Sequence, residues 1–328
     1  MMSYANKVKV LSGILVLLVA AWGLGELFAP ERRLARSESS KLLAGKPGDV
    51  ASFELSGSES LSFKKEGGVW FLLRGEEKLP AQGSRIESFI GAVAAIDRLG
   101  KVASAKEAWA GLGLDEAKRV TAKTVSGSIL ADFRAGDFGA TASELYIRLE
   151  GSDGSYSIPS TFASYLSAPK SSWLDLRVLR GPAEAGDVQA LNIRSTIALD
   201  TPVAAKGVSP ASQAKPVMAP LIEWRITRSE KGWQSSAPVD PVQAESLLRS
   251  VLNLEASDVG PANAPFGEVS AKIEITFGNG AAKILEVGAE AGEGRRYLRA
   301  SSESLVYEAS LYSLKAILKP LSDLAPKN

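Results

Sequence analysis

The sequence predicts an α+β protein, with an N-terminal transmembrane helix followed by two repeated modules. Each module reads as an antiparallel meander, a helix, further antiparallel strands and a short terminal helix. Three observations predict it. An uncharged apolar run opens the chain. Short runs of alternating hydrophobicity flank single stretches with a three- and four-residue apolar period. The same order is written twice, marked each time by a charged run, a glycine and a tryptophan: "KKEGGVW" ends at Trp70 and "RSEKGW" at Trp233.

The uncharged run covers Val10 to Gly25, and Val8 to Phe28, with Glu26 at the water interface, reaches the roughly 20 residues needed to span a bilayer. Trp22 suits an interfacial anchor. A cleaved signal peptide is the rival reading, with Val19, Ala20 and Ala21 as small residues near a cleavage site. The apolar run continues through that site, which favours an anchor over residues 1–30. Lys7 and Lys9 precede the uncharged run and Arg32, Arg33 and Arg36 follow it, so charge alone does not orient it. The short N-terminal flank before a large domain predicts an N-terminus in the cytoplasm and the bulk of the chain outside it. Residues 31–49 form a polar stalk.

The first module, residues 50–180, opens with "VASFELS", "LSFKK" and "VWFLL" as a meander turning at Gly67 and Gly68. In "SRIESFIGAVAAIDRLG", Ile86, Phe89, Ile90, Val93 and Ile96 recur at helical spacing behind Ser84 as N-cap, and Gly100 closes the run. "AGLGLDEAKRV" reads as a loop. "VTAKTV", "SILADFR", "ELYIRLE" and "SYSIP" are strands, and a short helix covers Thr161 to Leu166.

The Gly- and Pro-bearing residues 181–187 read as a linker to the second module, residues 188–328. There "VQALNIR", "EWRITRS" and "WQSS" form the meander and "PVQAESLLRSVLNL" the helix. "AKIEITF", "AKILEVG", "RRYLRAS" and "SLVYEAS" are strands before a last helix over Leu311 to Leu318. Residues 201–220, rich in Pro, Ala and Ser, form a long hairpin insertion. Tyr146, Arg148 and Tyr156 in the first module match Tyr297, Arg299 and Tyr307 in the second, with the same tyrosine spacing.

Composition narrows the chemistry. The 328 residues, 45% hydrophobic, can bury two cores. A net charge of +1 without single-sign blocks predicts no nucleic-acid partner. The chain has no Cys and no His, which excludes disulfides, thiolate nucleophiles, Cys/His zinc sites and Ser-His relays. No cofactor, metal site or catalytic residue is expected. The Ser-x-x-Lys spacings at "SFKK", "SAPK" and "SQAK" lack the helix start that an acyl-enzyme motif needs. "GLGLDE" lacks the strand and helix of a nucleotide fingerprint, so Asp115 and Glu116 read as turn residues. The repeated Tyr146, Arg148, Tyr156 and Tyr297, Arg299, Tyr307 are the candidate partner-binding residues, since Tyr and Arg anchor interfaces. The plainer reading makes them half-buried strand residues, with Trp70 and Trp233 in the cores.

Together, the anchor, the Gly-Trp meander, the helix, "GLGLDEAKRV", "LYIRL", "SIP" and "WLDLRVL" resemble the bacterial domain-of-unknown-function 4340 family. The resemblance covers most of the chain after Val50 in two copies, the first fuller; the second has only Phe266 and Gly267 in place of "GLGLDE" and nothing like "WLDLRVL". It implies a single-pass protein of the bacterial inner membrane with an extracytoplasmic body, associated with ABC transporter components of the gliding-motility type. No catalytic residue is implied. The expected function is that of a non-enzymatic accessory or scaffold with protein partners in such a complex. The alternatives are an extracytoplasmic ligand-binding module with a cleft between the repeats, or a carboxylate-dependent hydrolase of envelope polymers.

Overall fold

The computed structural model describes residues 41–326 apart from 58, 97–99, 182–184, 198–220, 231, 293 and 302. The predicted transmembrane segment and the insertion at residues 201–220 lie outside the described residues. Among the described residues no helix is long and apolar enough to cross a membrane. The chain divides into two compact units, Met1–Trp173 and Leu174–Asn328.

The first unit runs β1 (Ser52–Ser56), β2 (Leu61–Glu66), β3 (Val69–Arg74), β4 (Glu77–Pro80), α1 (Gly83–Ala94), β5 (Gly100–Ala103), β6 (Lys118–Lys123), β7 (Ile129–Phe138), β8 (Glu144–Leu149), β9 (Ser155–Pro159) and α2 (Ala163–Leu166). All nine strands join one antiparallel sheet in the order β4-β3-β2-β1-β6-β7-β8-β9-β5. The second unit runs β10 (Val188–Ser195), β11 (Ile222–Ser229), β12 (Gly232–Gln234), α3 (Pro241–Leu252), β13 (Asp258–Val259), β14 (Ala271–Phe277), β15 (Ala282–Glu290), β16 (Arg295–Ala300), β17 (Val306–Ser310) and α4 (Leu311–Ile317). Its eight strands are ordered β12-β11-β10-β14-β15-β16-β17-β13, the first unit's order without β4.

The fold class is therefore mostly β, and the α+β expectation is corrected by two large antiparallel sheets. Two physical causes account for the difference. The meander and the later strands are not separate pieces: β1 pairs with β6 and β10 with β14, so each half becomes one continuous sheet. Three short strands also escape a hydrophobic-period reading: β4 pairs with β3, β5 with β9 and β13 with β17. The helical content shrinks as well, because α2 is a single turn.

Local chemistry explains the elements. Gly67 and Gly68, with φ of 56° and 84°, form a two-residue turn between Glu66 and Val69 that suits the twist of a hairpin. The helix α1 buries Ile86, Phe89, Ile90 and Val93. Its N-cap is Gln82, which makes no side-chain cap, and Ser84 lies inside the first turn. The helix α3 is better started: Pro241 occupies its first turn and Asp240 accepts a 2.8 Å bond from the Val242 amide.

The two glycine-tryptophan turns tie helix to sheet in the same way. Lys65 stands opposite Trp70 and Arg228 opposite Trp233. Trp70 Nε1 and Lys65 Nζ both donate to Glu87 of α1 at 2.7 Å. Trp233 Nε1 at 3.2 Å and Arg228 at 2.6 Å both donate to Glu245 of α3. Burial pushes the Glu87 carboxyl up, but the bonds from Lys65 and Trp70 outweigh it and hold the group below its usual range.

The cores differ in kind. In the first unit Phe53, Phe63, Phe89 and Trp173 form an aromatic cluster with the Phe53 and Phe63 rings stacked at 4.3 Å. Trp173 closes this core, its carbonyl accepting from the Gln82 amide at 2.8 Å. The next residues belong to the second unit, where Val178 donates to Leu254 and Ala256 to Leu176. That core is aliphatic, built on Leu191, Ile193, Leu248, Ile273 and Leu285.

Candidate partner-binding surface

The six residues singled out in the sequence fall on different faces. On β8, Leu145 and Ile147 are buried and Tyr146 and Arg148 occupy the opposite, outer face, half-buried. Tyr156 stands opposite Ile147 and so points to the core. In the second unit Tyr307 is fully buried opposite Leu298, and Tyr297 is also buried, on the outer side. Arg299 is exposed on the outer face. The structure thus brings Tyr146 with Arg148 and Tyr297 with Arg299 to the outer faces, and sends Tyr156 and Tyr307 inward.

The Tyr307 hydroxyl accepts from Arg180 at 2.7 Å, and Arg180 also donates to the Asp175 carbonyl and to Glu303. Burial pushes the Tyr307 phenol up to about 12, against a smaller opposing pull from the Arg180 charge. This network fastens the segment after Trp173 onto the second sheet, with Lys283 donating to the Arg180 carbonyl at 2.6 Å.

A feature outside the sequence reading organises both outer faces. In each unit a loop crosses the sheet and lays an aromatic ring over the arginine. Trp109 lies 3.8 Å from the Arg148 guanidinium carbon, and Phe266 lies 4.2 Å from that of Arg299. The loops turn at Gly113 and Gly267, with φ of 65° and 67°. Each rests on a glycine in the strand below. A Cβ on Gly136 would meet the Leu112 carbonyl at 2.5 Å, and one on Gly288 would strike the Phe266 carbonyl. Both glycines sit in equivalent β-bulges, between Ala135 and Phe138 and between Val287 and Glu290. The sequence signal was available: a glycine inside a strand run marks a bulge or a close backbone approach.

The bulge also reverses side-chain parity. In the first unit it turns Phe138 to the side of Leu145, opposite it in register, and leaves it 56% exposed. A hollow of about 590 Å³ opens there, lined by Lys118, Ala135, Phe138, Leu145, Ser164 and Leu166. The second unit places Glu290 opposite Arg296 at these positions, joined by an ion pair at 3.4 Å.

Charge on the outer faces is largely paired. Arg119 grips Asp132 with two 2.7 Å bonds, Arg134 holds Glu150 at 2.7 Å and Arg299 holds Glu286 at 2.6 Å. Among the described residues no group of three or more His, Cys, Asp or Glu side chains could hold a metal ion.

Comparison with known proteins places the chain by sequence. A family model described as Domain of unknown function (DUF4340) matches residues 70–270, running from β3 to the residue before β14 and across the division between the units. No curated protein and no solved structure matches the chain.

Proposed function

The chain belongs to the family described as Domain of unknown function (DUF4340), and from that premise we propose that it is an extracytoplasmic accessory or scaffold protein. It serves a cell-envelope membrane complex of the ABC transporter type and binds its protein partner through the outer faces of its sheets. The observation that supports this reading is the aromatic-over-arginine pair, Trp109 with Arg148 and Phe266 with Arg299, at the equivalent place in both units. Trp and Arg are the residue types that most often anchor protein interfaces. Trp109 is half-buried on its bulge-pinned loop and the two arginines stand on strands of a rigid sheet, so these side chains have little entropy left to lose on binding.

Two measurements test the proposal. The chain has no cysteine, so a Val125→Cys variant, at a hairpin tip that is 92% exposed, carries a unique thiol. In intact cells opened only at the outer membrane, a membrane-impermeant maleimide labels that thiol if the location is extracytoplasmic. Photo-crosslinkers at Ala110 and Glu268, beside Trp109 and Phe266 in sequence, are expected to capture a membrane-spanning transporter subunit. A crosslinker at Gly75, in the β3–β4 turn, is expected to capture none. Labelling only after lysis, or equal capture from all three positions, would overturn the reading.

A further inference from the structure

Three arginines stand in one row across the outer face of the first sheet. Arg119 of β6 is opposite Arg134 of β7, Arg134 is opposite Arg148 of β8, and Arg148 is opposite Ser155 of β9. Residues directly opposite share a face, and like charges so placed repel. Two of the three are neutralised: Arg119 by Asp132 and Arg134 by Glu150.

Arg148 is not. Its guanidinium lies against Trp109, and its Nε is buried without a hydrogen-bond partner. The hydroxyl of Ser155, directly opposite and 0% exposed, is also buried without one. Leaving buried polar atoms unpaired costs free energy, so the pair marks a place where an acceptor belongs. Neither that Nε nor the Ser155 hydroxyl is exposed, so an acceptor from solvent meets the guanidinium at its terminal nitrogens, in a residue that is half-buried as a whole.

The second unit has an acceptor at the matching place. The matching row there reads Lys272, Glu286, Arg299 and Val306. Arg299, under Phe266 as Arg148 is under Trp109, gives its Nε to a Glu286 carboxylate oxygen at 2.7 Å, and a terminal nitrogen meets the same oxygen at 2.6 Å. Where the second unit has Glu286, the first has Arg134. The nitrogen satisfied by a carboxylate in one unit is the nitrogen left open in the other, and Val306, without a polar atom, replaces the open Ser155.

We infer that Arg148, roofed by Trp109 and flanked by Ser155, is a binding site for a carboxylate supplied from outside the chain, an acidic segment of the protein partner. The carboxylate accepts from the Arg148 terminal nitrogens, beside the open Nε, while the indole face steadies the guanidinium. That the carboxylate is a partner's rests on the accessory reading. The site itself does not.

The Arg148 Nε–H resonance, assigned by its loss in Arg148→Lys, reports occupancy directly in the full-length protein. The probes are a capped oligoglutamate peptide, succinate and inorganic phosphate. The peptide is expected to shift this resonance saturably. Arg134→Glu, which rebuilds the second unit's arrangement, is expected to weaken binding at least about tenfold, because the new carboxylate occupies Arg148 from within. Arg134→Gln should bind as the unaltered chain does. Tighter binding of the peptide than of succinate supports a partner's acidic segment; succinate binding as tightly keeps the carboxylate site and rejects that source. No saturable shift, a response to phosphate alone, or undiminished binding by folded Arg134→Glu would overturn the site. The titration of the unaltered chain decides the matter even where Arg134→Glu fails to fold. A chain that binds the peptide yet crosslinks to no transporter subunit would sink the accessory role and leave the site standing.

Discussion

At the scale of single residues, burial decides what a side chain can do. Tyr307 is an acid whose pKa is raised to about 12 in the fold, so its neutral form is favoured there. Below the unfolded value near 10 its contribution is complete, and stability falls as pH rises from about 10 towards 12. Absorbance titration of the phenolates should therefore show a late-ionising tyrosine that Tyr307→Phe removes. Gly136 makes a second case. Its Cβ would meet the Leu112 carbonyl at 2.5 Å, so Gly136→Ala should lower stability by about 1–3 kcal/mol in denaturant melts. Gly111→Ala, where an added Cβ meets nothing, should change it by less than about 0.5 kcal/mol. The two-residue spacing of Tyr146 and Arg148 made their shared face legible in the sequence. The face of Tyr156 was not, because it depends on the register across the β8–β9 turn.

At the scale of elements, the clasp between helix and hairpin accounts for the repeated glycine and tryptophan. Trp70 is 2% exposed, and Trp70→Ala should cost about 3–5 kcal/mol in denaturant melts. Trp233 is only half-buried, so its truncation should cost less, mainly through the lost bond to Glu245. The Glu87 pKa lies below its usual range, so this clasp stabilises the fold above the unfolded pKa and fades as pH falls through the folded one. Glu87→Gln should flatten the acid limb of thermal stability below about pH 4.5, and a limb as steep as in the unaltered chain would show the clasp to be idle. The helices α1 and α3 were legible because their apolar period is long. The strands β4, β5 and β13 were not, since four residues or fewer carry too few alternations to register a period, and only pairing to a neighbour defines them.

At the scale of the whole molecule, the order of elements was legible twice over, while their union into two sheets was not, because β1–β6 and β10–β14 are long-range pairings. The carboxylate site was hidden for the same reason, since its arginine row exists only once three strands are in register. Each unit has its own core, so Phe89→Ala should speed amide hydrogen exchange in residues 41–173 and leave that of 174–326 close to its original rate. Uniform acceleration would show the two to open as one. The placement of β1 also bears on how the protein is made. Phe53 must wait for Ala122, about 70 residues later, which at cellular rates of about 5–20 residues per second leaves the nascent hairpins on the ribosome with one flank unpaired for roughly 3–14 s. Slower translation lengthens that interval, and with it the chance that the open strand joins a neighbouring nascent chain instead of its own.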